Sequence, residues 1–385
     1  MSQIKFNNVI ENANEKPFYK KALKIIISFL QDNQRATLTD IIKFTEGGDR
    51  RTIRLLDEMV KNHLIKFKNG YFFPGHPLAL RITRKATVCS HCQGKLINQN
   101  HQQYQAIAKK MKIIYAIRPK PTFIFDQRPV TLETSLRRAF YLTWRGDICG
   151  KRIVLIGDDD LTSLTLGFLG LAKEIVVFEI DKRLVNFLKE QVNKYHLKIK
   201  IIGRDILSGV PSSYLHRFDV FLADPTPTPV PFATFVNAGL RLLKKGECGV
   251  GYLSFYPSHM DKNISLQKIL TKMNLMITDS IPFFTEYEVI KKTYSERDIK
   301  LMRQYSRSEL KMAFYEYLVR VQTTNKTKTM PLKIKLQDIV GRATERVLKN
   351  IDKDPAINES ERFKKYLIRS ANNLIKNKNR RLIFK

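Results

Sequence analysis

Seven carboxylates fall where four short apolar runs end, and that placement is where this sequence could do chemistry. The run Arg152-Ile-Val-Leu-Ile ends in Gly157-Asp158-Asp159-Asp160, then Leu-Thr-Ser. Glu174-Ile-Val-Val-Phe ends in Glu179-Ile-Asp181, Lys198-Ile-Lys-Ile-Ile leads to Arg204-Asp205, and Phe218-Asp-Val-Phe-Leu-Ala leads to Asp224-Pro225. One acidic residue at such a place commonly caps the next helix. Four acidic ends in succession are harder to read as capping. A dinucleotide or nucleoside site normally has a glycine-rich turn after its first strand. This chain keeps Gly157 and follows it with three carboxylates, which would repel a pyrophosphate, so NAD and ATP are poor candidates. Glu179, about 20 residues beyond that glycine, stands where an acidic side chain accepts hydrogen bonds from ribose hydroxyls, with Asp181 beside it. Asp205 could receive an adenine amino group. The series fits an adenosine moiety with a positive substituent: a sulfonium nucleoside, from which acidic residues would transfer an alkyl group.

The elements that must hold these groups are legible too. Strand signals at 152–157, 174–180, 198–202, 218–223 and 247–253 alternate with helix-length segments, notably Lys182 to Tyr195 and Phe232 to Leu243. Nearly continuous apolar strands alternating with helices predict a mostly parallel α/β sheet covered on both faces, a Rossmann-like domain of the class I methyltransferase type. Ligands of such sheets bind outside the carboxyl ends of the strands, where strand order reverses. This domain is expected over residues 123–322.

Residues 1–77 read as a winged helix. Apolar residues at helical spacing run from Phe18 to Leu30, Thr37 caps a short second helix, and Asp49 is placed to cap a third. Ile65 to Phe73 alternates around Asn69-Gly70, a type I′ hairpin signal. The third helix carries Arg50, Arg51, Arg54 and Lys61, which leaves duplex DNA as one partner and a solvated basic face as the plain alternative. Residues 78–122 read as a connector. Cys89-Ser-His-Cys92 is half of a zinc ligand set; His76 and His101 have irregular spacing, so no metal site is expected. The tail, 323–385, is basic: from Pro331 onward it holds 15 Lys+Arg against 6 Asp+Glu, with two amphipathic stretches at 336–351 and 359–376.

The whole chain carries 68 Lys+Arg against 36 Asp+Glu, a formal charge of +32, which suggests a polyanionic partner or a lysine-rich solvated surface. Four cysteines are too few for a disulfide framework. No apolar stretch approaches the roughly 20 residues of a membrane span, so a cytoplasmic protein with no membrane partner is expected.

The order GDDDLTS, FEID and ADP, preceded by Phe125-Asp-Gln127 and Thr131-Leu-Glu-Thr134, resembles the branched-chain polyamine synthases, the bis(aminopropyl)spermidine synthases of archaea and bacteria. The resemblance covers roughly residues 15–290, and the GDDD motif is its most specific element. It implies a winged-helix-like domain, a cysteine-pair connector and a Rossmann-like catalytic domain. It implies transfer of an aminopropyl group from decarboxylated S-adenosylmethionine, a co-substrate and not a bound cofactor, to a polyamine acceptor. It further implies Glu179 on the ribose, Asp205 on the adenine, Asp224 near the reacting centre, and Gln127 and Gly157 around the donor. The three aspartates then make physical sense: they attract the cationic arm of the decarboxylated donor and repel the carboxylate of the ordinary one. Crowded carboxylates raise one another's proton affinity, so one can act as base near neutral pH. Asp160 is the first candidate and Asp159 the second, with Asp158 orienting the aminopropyl ammonium. A homodimer is the expected assembly. The rival readings are a nucleic-acid-binding protein that grips phosphates with the winged helix and tail, and a methyltransferase retaining the fold.

Overall fold

A computed structural model describes residues 16–45, 48–75, 92, 96–122, 125, 127–205, 209–227, 229–246, 249–255, 260–288, 295–306 and 312–330. The elements are α1 (Lys16–Asn33), α2 (Leu38–Phe44), α3 (Gly48–Lys61), β1 (Ile65–Lys68), β2 (Tyr71–Pro74), α4 (Gln102–Ala116), α5 (Leu132–Trp144) and β3 (Arg152–Ile156). There follow α6 (Thr162–Leu169), β4 (Glu174–Glu179), α7 (Lys182–Lys194), β5 (Ile199–Gly203), β6 (Val220–Ala223), α8 (Pro229–Leu242), β7 (Val250–Phe255), α9 (Met260–Lys272), β8 (Leu275–Glu288), α10 (Glu296–Tyr305) and β9 (Met312–Thr323). The chain forms two compact units: Met1–Ser90 with Pro257–His259 and Glu286–Glu316, and His91–Tyr256 with Met260–Thr285 and Tyr317–Lys385.

In the first unit the three helices and the hairpin stand where the apolar spacing puts them. Thr37 makes a reciprocal capping box: its Oγ1 accepts the Asp40 N–H at 3.2 Å, and the Asp40 carboxylate accepts the Thr37 N–H at 3.0 Å. Asn69 and Gly70 both have positive φ, 52° and 77°, as a type I′ turn demands. Asp49 does not cap α3: the helix already begins at Gly48, so Asp49 lies in its first turn. Leu23, Ile26, Ile41, Leu56 and Phe72 form the buried interior. The sequence reading overlooked α10, which packs on α3.

The second unit holds a seven-stranded sheet in the order β5-β4-β3-β6-β7-β9-β8. Strands β5 to β7 are parallel, and β9 runs antiparallel to β7, with Tyr252 opposite Arg320. Alternation splits each strand between two cores. Ile153, Leu155, Val177 and Leu222 face α4, α5 and α6, while Val154, Ile156, Phe178 and Phe221 face α8 and α9. Strand order reverses between β3 and β6, which fixes where a ligand site belongs. Within the stretch read as a connector, residues 102–116 form α4, whose Tyr104, Ile107, Met111 and Ile114 are buried in the first of these cores. Residues 331–385, with both stretches expected to be tail helices, lie outside the described residues, as do His76, Cys89 and His91. Among the described residues no helix is long and apolar enough to cross a membrane. No three of their His, Cys, Asp and Glu side chains are placed to hold a metal ion.

Candidate active site

The turn after β3 is shaped by two left-handed residues, Gly157 at φ 77° and Leu161 at φ 55°. Gly157 meets that demand freely, whereas Leu161, fully buried, adopts it against its side chain's preference. Between them the three aspartates curl over the strand end, and the Leu161 N–H donates to the Asp158 carbonyl at 3.0 Å.

Each aspartate has a different environment. Asp158 is buried and accepts the N–H of Ser163 at 3.1 Å and its hydroxyl at 2.5 Å, so it staples the turn to the start of α6. Burial pushes its carboxyl well above the usual range, against the pull of the Ser163 bonds. Asp160 is buried as well: Oδ1 accepts the Val130 N–H at 3.0 Å and Oδ2 pairs with an Nη of Arg138. Burial raises it to about 6, with Arg138 holding it back. Asp159 is half-buried, and among the described residues its carboxyl makes no hydrogen bond or salt bridge. Burial pushes it well above the ordinary value, helped by the charges of Asp160, Glu179, Asp224 and Asp158.

Glu179, at the end of β4, is tied to the same turn. Its Oε2 accepts the Asp158 N–H at 2.9 Å, and Oε1 accepts the N–H groups of Ile180 and Asp181 at 2.8 and 2.9 Å. Burial raises its carboxyl in spite of these bonds. Asp181 caps α7 through the Arg183 N–H at 2.9 Å and accepts Gln127 Nε2 at 3.0 Å. Burial would raise it, but the bonds from Arg183 and Gln127 win and hold it below the carboxylate range. Gln127 is buried and fixes its loop by accepting the Thr122 N–H at 2.9 Å. Asp205 stands two residues past β5, half-buried beside the Glu179–Gly203 register. Asp224 follows β6 and accepts Arg138 Nη2 at 2.6 Å.

Arg138 escaped the sequence reading. It projects from α5, is 6% exposed, and joins Asp160 and Asp224 to Ser254 Oγ on β7 at 2.8 Å and Thr285 Oγ1 on β8 at 3.3 Å. The signal was available in Arg137-Arg138, two consecutive arginines on a segment otherwise rich in apolar residues. Arg138 lines a cleft together with Leu142, Leu155, Leu222, Tyr252 and Leu318 and with Asp158, Asp160 and Asp224. Apolar and acidic walls in one cleft fit a chain of methylenes with a cationic end.

Comparison with known proteins bears on the same region. Residues 105–346 match the description of the branched-chain polyamine synthase A C-terminal domain. The chain is 32% identical to an N(4)-bis(aminopropyl)spermidine synthase of Methanocaldococcus jannaschii over 284 residues, 71% of this chain and 79% of that one. It is 29% identical to the enzyme of the same name from Thermococcus kodakarensis, over 83% of this chain and 93% of that one. A crystal structure of the branched-chain polyamine synthase from Thermus thermophilus, in complex with N4-aminopropylspermidine and 5′-methylthioadenosine, superposes with a TM-score of 0.64. It is 21% identical and covers 83% of this chain and 91% of its own; that likeness is one of fold. Taken with the sheet order and the acidic strand ends, the matches place the chain in the branched-chain polyamine synthase family.

Proposed function

We propose that this chain moves aminopropyl groups from decarboxylated S-adenosylmethionine to a nitrogen of a spermidine-like polyamine, releasing 5′-methylthioadenosine. The observation that carries the reading is the set of acidic groups gathered on the carboxyl edge of β3, β4 and β6, with Asp159 free of any hydrogen bond or salt bridge among the described residues. Relatives bearing that enzyme name support it. So does the bound pair in the Thermus structure, an aminopropylated spermidine and a methylthio-nucleoside.

On this reading Glu179 faces the ribose and Asp205 the adenine. The acceptor's nitrogen lone pair attacks the carbon beside the sulfonium. The carbon–sulfur pair returns to sulfur, and the proton on the new ammonium leaves to a carboxylate. The sequence reading put Asp160 first for that proton. Its bonds to Arg138 and Val130 favour Asp159, whose lone pairs face no described donor. Ordinary S-adenosylmethionine would bring a carboxylate into this negative field and be rejected. The test is mass spectrometry of spermidine incubated with protein and either donor. Growth by aminopropyl units with the decarboxylated donor alone is expected; methyl transfer, or no product, would overturn the reading.

A further inference from the structure

Arg138 is a cation buried in a site built for cations. Its guanidinium spans two acidic turns, after β3 and after β6, which would otherwise bring the Asp160 and Asp224 carboxylates together with no charge between them. A buried arginine is costly unless its N–H groups are matched; here two carboxylates and two hydroxyls accept from its Nη atoms, while among the described residues Nε is buried without a hydrogen bond. Leu142, Leu155 and Tyr252 line the same cleft. Those apolar side chains and the carboxylates beside them would serve the end of an alkylammonium chain equally well.

We propose that Arg138 is a resident counter-cation and a specificity-determining residue: its guanidinium occupies a subsite between Asp160 and Asp224 that a further substrate ammonium would otherwise fill. This rests on the aminopropyl-transfer reading. By filling the subsite, Arg138 limits how many ammonium groups of the acceptor the cleft takes. It also holds the Asp160 and Asp224 carboxylates in place through its Nη atoms, so that the proton-accepting role falls to Asp159. Arg138 thus acts through the carboxylates it positions. The charged and titratable groups around it are Asp160 and Asp224, with Asp158, Asp159 and Glu179 adjoining through the same turn. Ser254 and Thr285 accept from it on β7 and β8. The neighbouring Arg137 turns elsewhere, to Thr134 Oγ1 and the Phe284 carbonyl.

The experiment measures methylthioadenosine release by wild type, R138A and R138K with spermidine and with the longer tetraamine spermine, across pH and with or without millimolar guanidinium. For R138A, kcat with spermidine is expected to fall and to recover in part with guanidinium. The KM for spermine relative to spermidine should drop about tenfold, as a freed subsite accepts one more ammonium. The acidic limb of kcat/KM should move alkaline by about one pH unit, because the remaining carboxylates lose their cation. An unrescued R138A with an unmoved limb and an unchanged ratio would overturn the proposal. If R138A does not fold, R138K is read instead: it keeps the charge, so its limb must stay in place while kcat falls, and a shifted limb counts against the idea. Absence of product from wild type would sink the aminopropyl reading alone. Arg138 would then be judged by calorimetry of spermidine binding in two buffers, where R138A should release about one more proton than wild type, and equal counts would refute it.

Discussion

Arg54 on α3 forks onto Asp298 on α10, with Nε at 2.7 Å from one carboxylate oxygen and Nη2 at 2.8 Å from the other. The carboxylate is 2% exposed and also accepts the Ser295 hydroxyl at 2.7 Å. Burial alone would raise its pKa, but the bonds from Arg54 and Ser295 outweigh burial and hold it below the ordinary value. A depressed carboxylate stabilises the fold above its unfolded pKa, and that stability is lost as pH falls through the folded value. D298N should therefore melt lower than wild type at pH 7, by roughly 1–2 kcal/mol given that Arg54 is half-exposed. The gap should hold down to about pH 4 and narrow only as pH falls below the unfolded value of 3.8, and thermal melts at pH 7 and on either side of that value decide it.

The same pair bears on nucleic acid. Arg54 was one of the four basic residues that made α3 resemble a DNA-reading helix, and it is committed to Asp298; Lys61 is held by Asp57 at 2.7 Å. R54A should lower the melting temperature and leave the salt dependence of any DNA or RNA binding unchanged. Loss of about one unit of salt slope in R54A would instead return Arg54 to a phosphate.

Asp158 and Asp159 should separate stability from activity. Asp158 receives both the N–H and the hydroxyl of Ser163 at the start of α6, so D158A strips that staple and leaves its donors buried. Urea unfolding should show a loss of about 1–3 kcal/mol, with S163A giving part of it. D159A should unfold like wild type or later, and lose aminopropyl transfer.

The acid cluster also fixes a pH trend. Asp158, Asp159 and Asp160 all titrate above their unfolded value near 3.8, Asp160 at about 6. Between that unfolded value and the raised ones the folded protein holds more protons than the unfolded chain, so these groups stabilise the fold at low pH and weaken it as pH rises. D159N removes one carboxylate from the crowd. Its melting temperature should exceed wild type by about 2–4 °C at pH 7.5, and the two should converge near pH 4. Equal melting temperatures at pH 7.5 would mean that Asp159 is already relieved of its neighbours' charge.

The parallel strands and their acidic ends were legible because each is local: a run of Val, Ile and Leu closing on a carboxylate reads the same in any context. The same holds for the Asn69-Gly70 turn and the Thr37 capping box. Arg138 was not legible, because its partners lie 22, 86, 116 and 147 residues away and meet it only once the sheet order is known. The division of labour within Asp158-Asp159-Asp160 was hidden for a related reason. It depends on which oxygens Ser163, Val130 and Arg138 claim, and on a left-handed Leu161 that no propensity favours. Helix α4 reads as linker in the sequence because its segment begins among Asn, His and Gln residues 98–103.

Beyond the acidic turn, Asp147 is the residue whose loss should cost the α/β unit most. It follows α5, and Arg320 of β9 reaches it with Nε at 2.8 Å and Nη2 at 3.1 Å. The Tyr252 hydroxyl of β7 donates to the same Oδ2 at 2.5 Å, and burial together with that bond pushes the phenol's pKa up. D147N leaves Arg320, 8% exposed, with Asp279 at 3.9 Å as its remaining counter-charge and Thr278 Oγ1 still accepting from Nη1 at 2.8 Å. Breaking a buried pair on one side costs about 3–5 kcal/mol, and these remaining partners put D147N at the lower end. Y252F, which removes one donor and leaves the ion pair, should cost about 1–2 kcal/mol. In D147N the hydroxyl has already lost its charged acceptor, so the double variant should be less destabilised than the two losses added. Urea unfolding of all four proteins measures that shortfall. Strict additivity would mean that Tyr252 and Arg320 act on Asp147 independently. A shortfall of about 1 kcal/mol or more would mean that the strand pair and the end of α5 are held as one unit, the same helix that carries Arg138 into the acidic cleft.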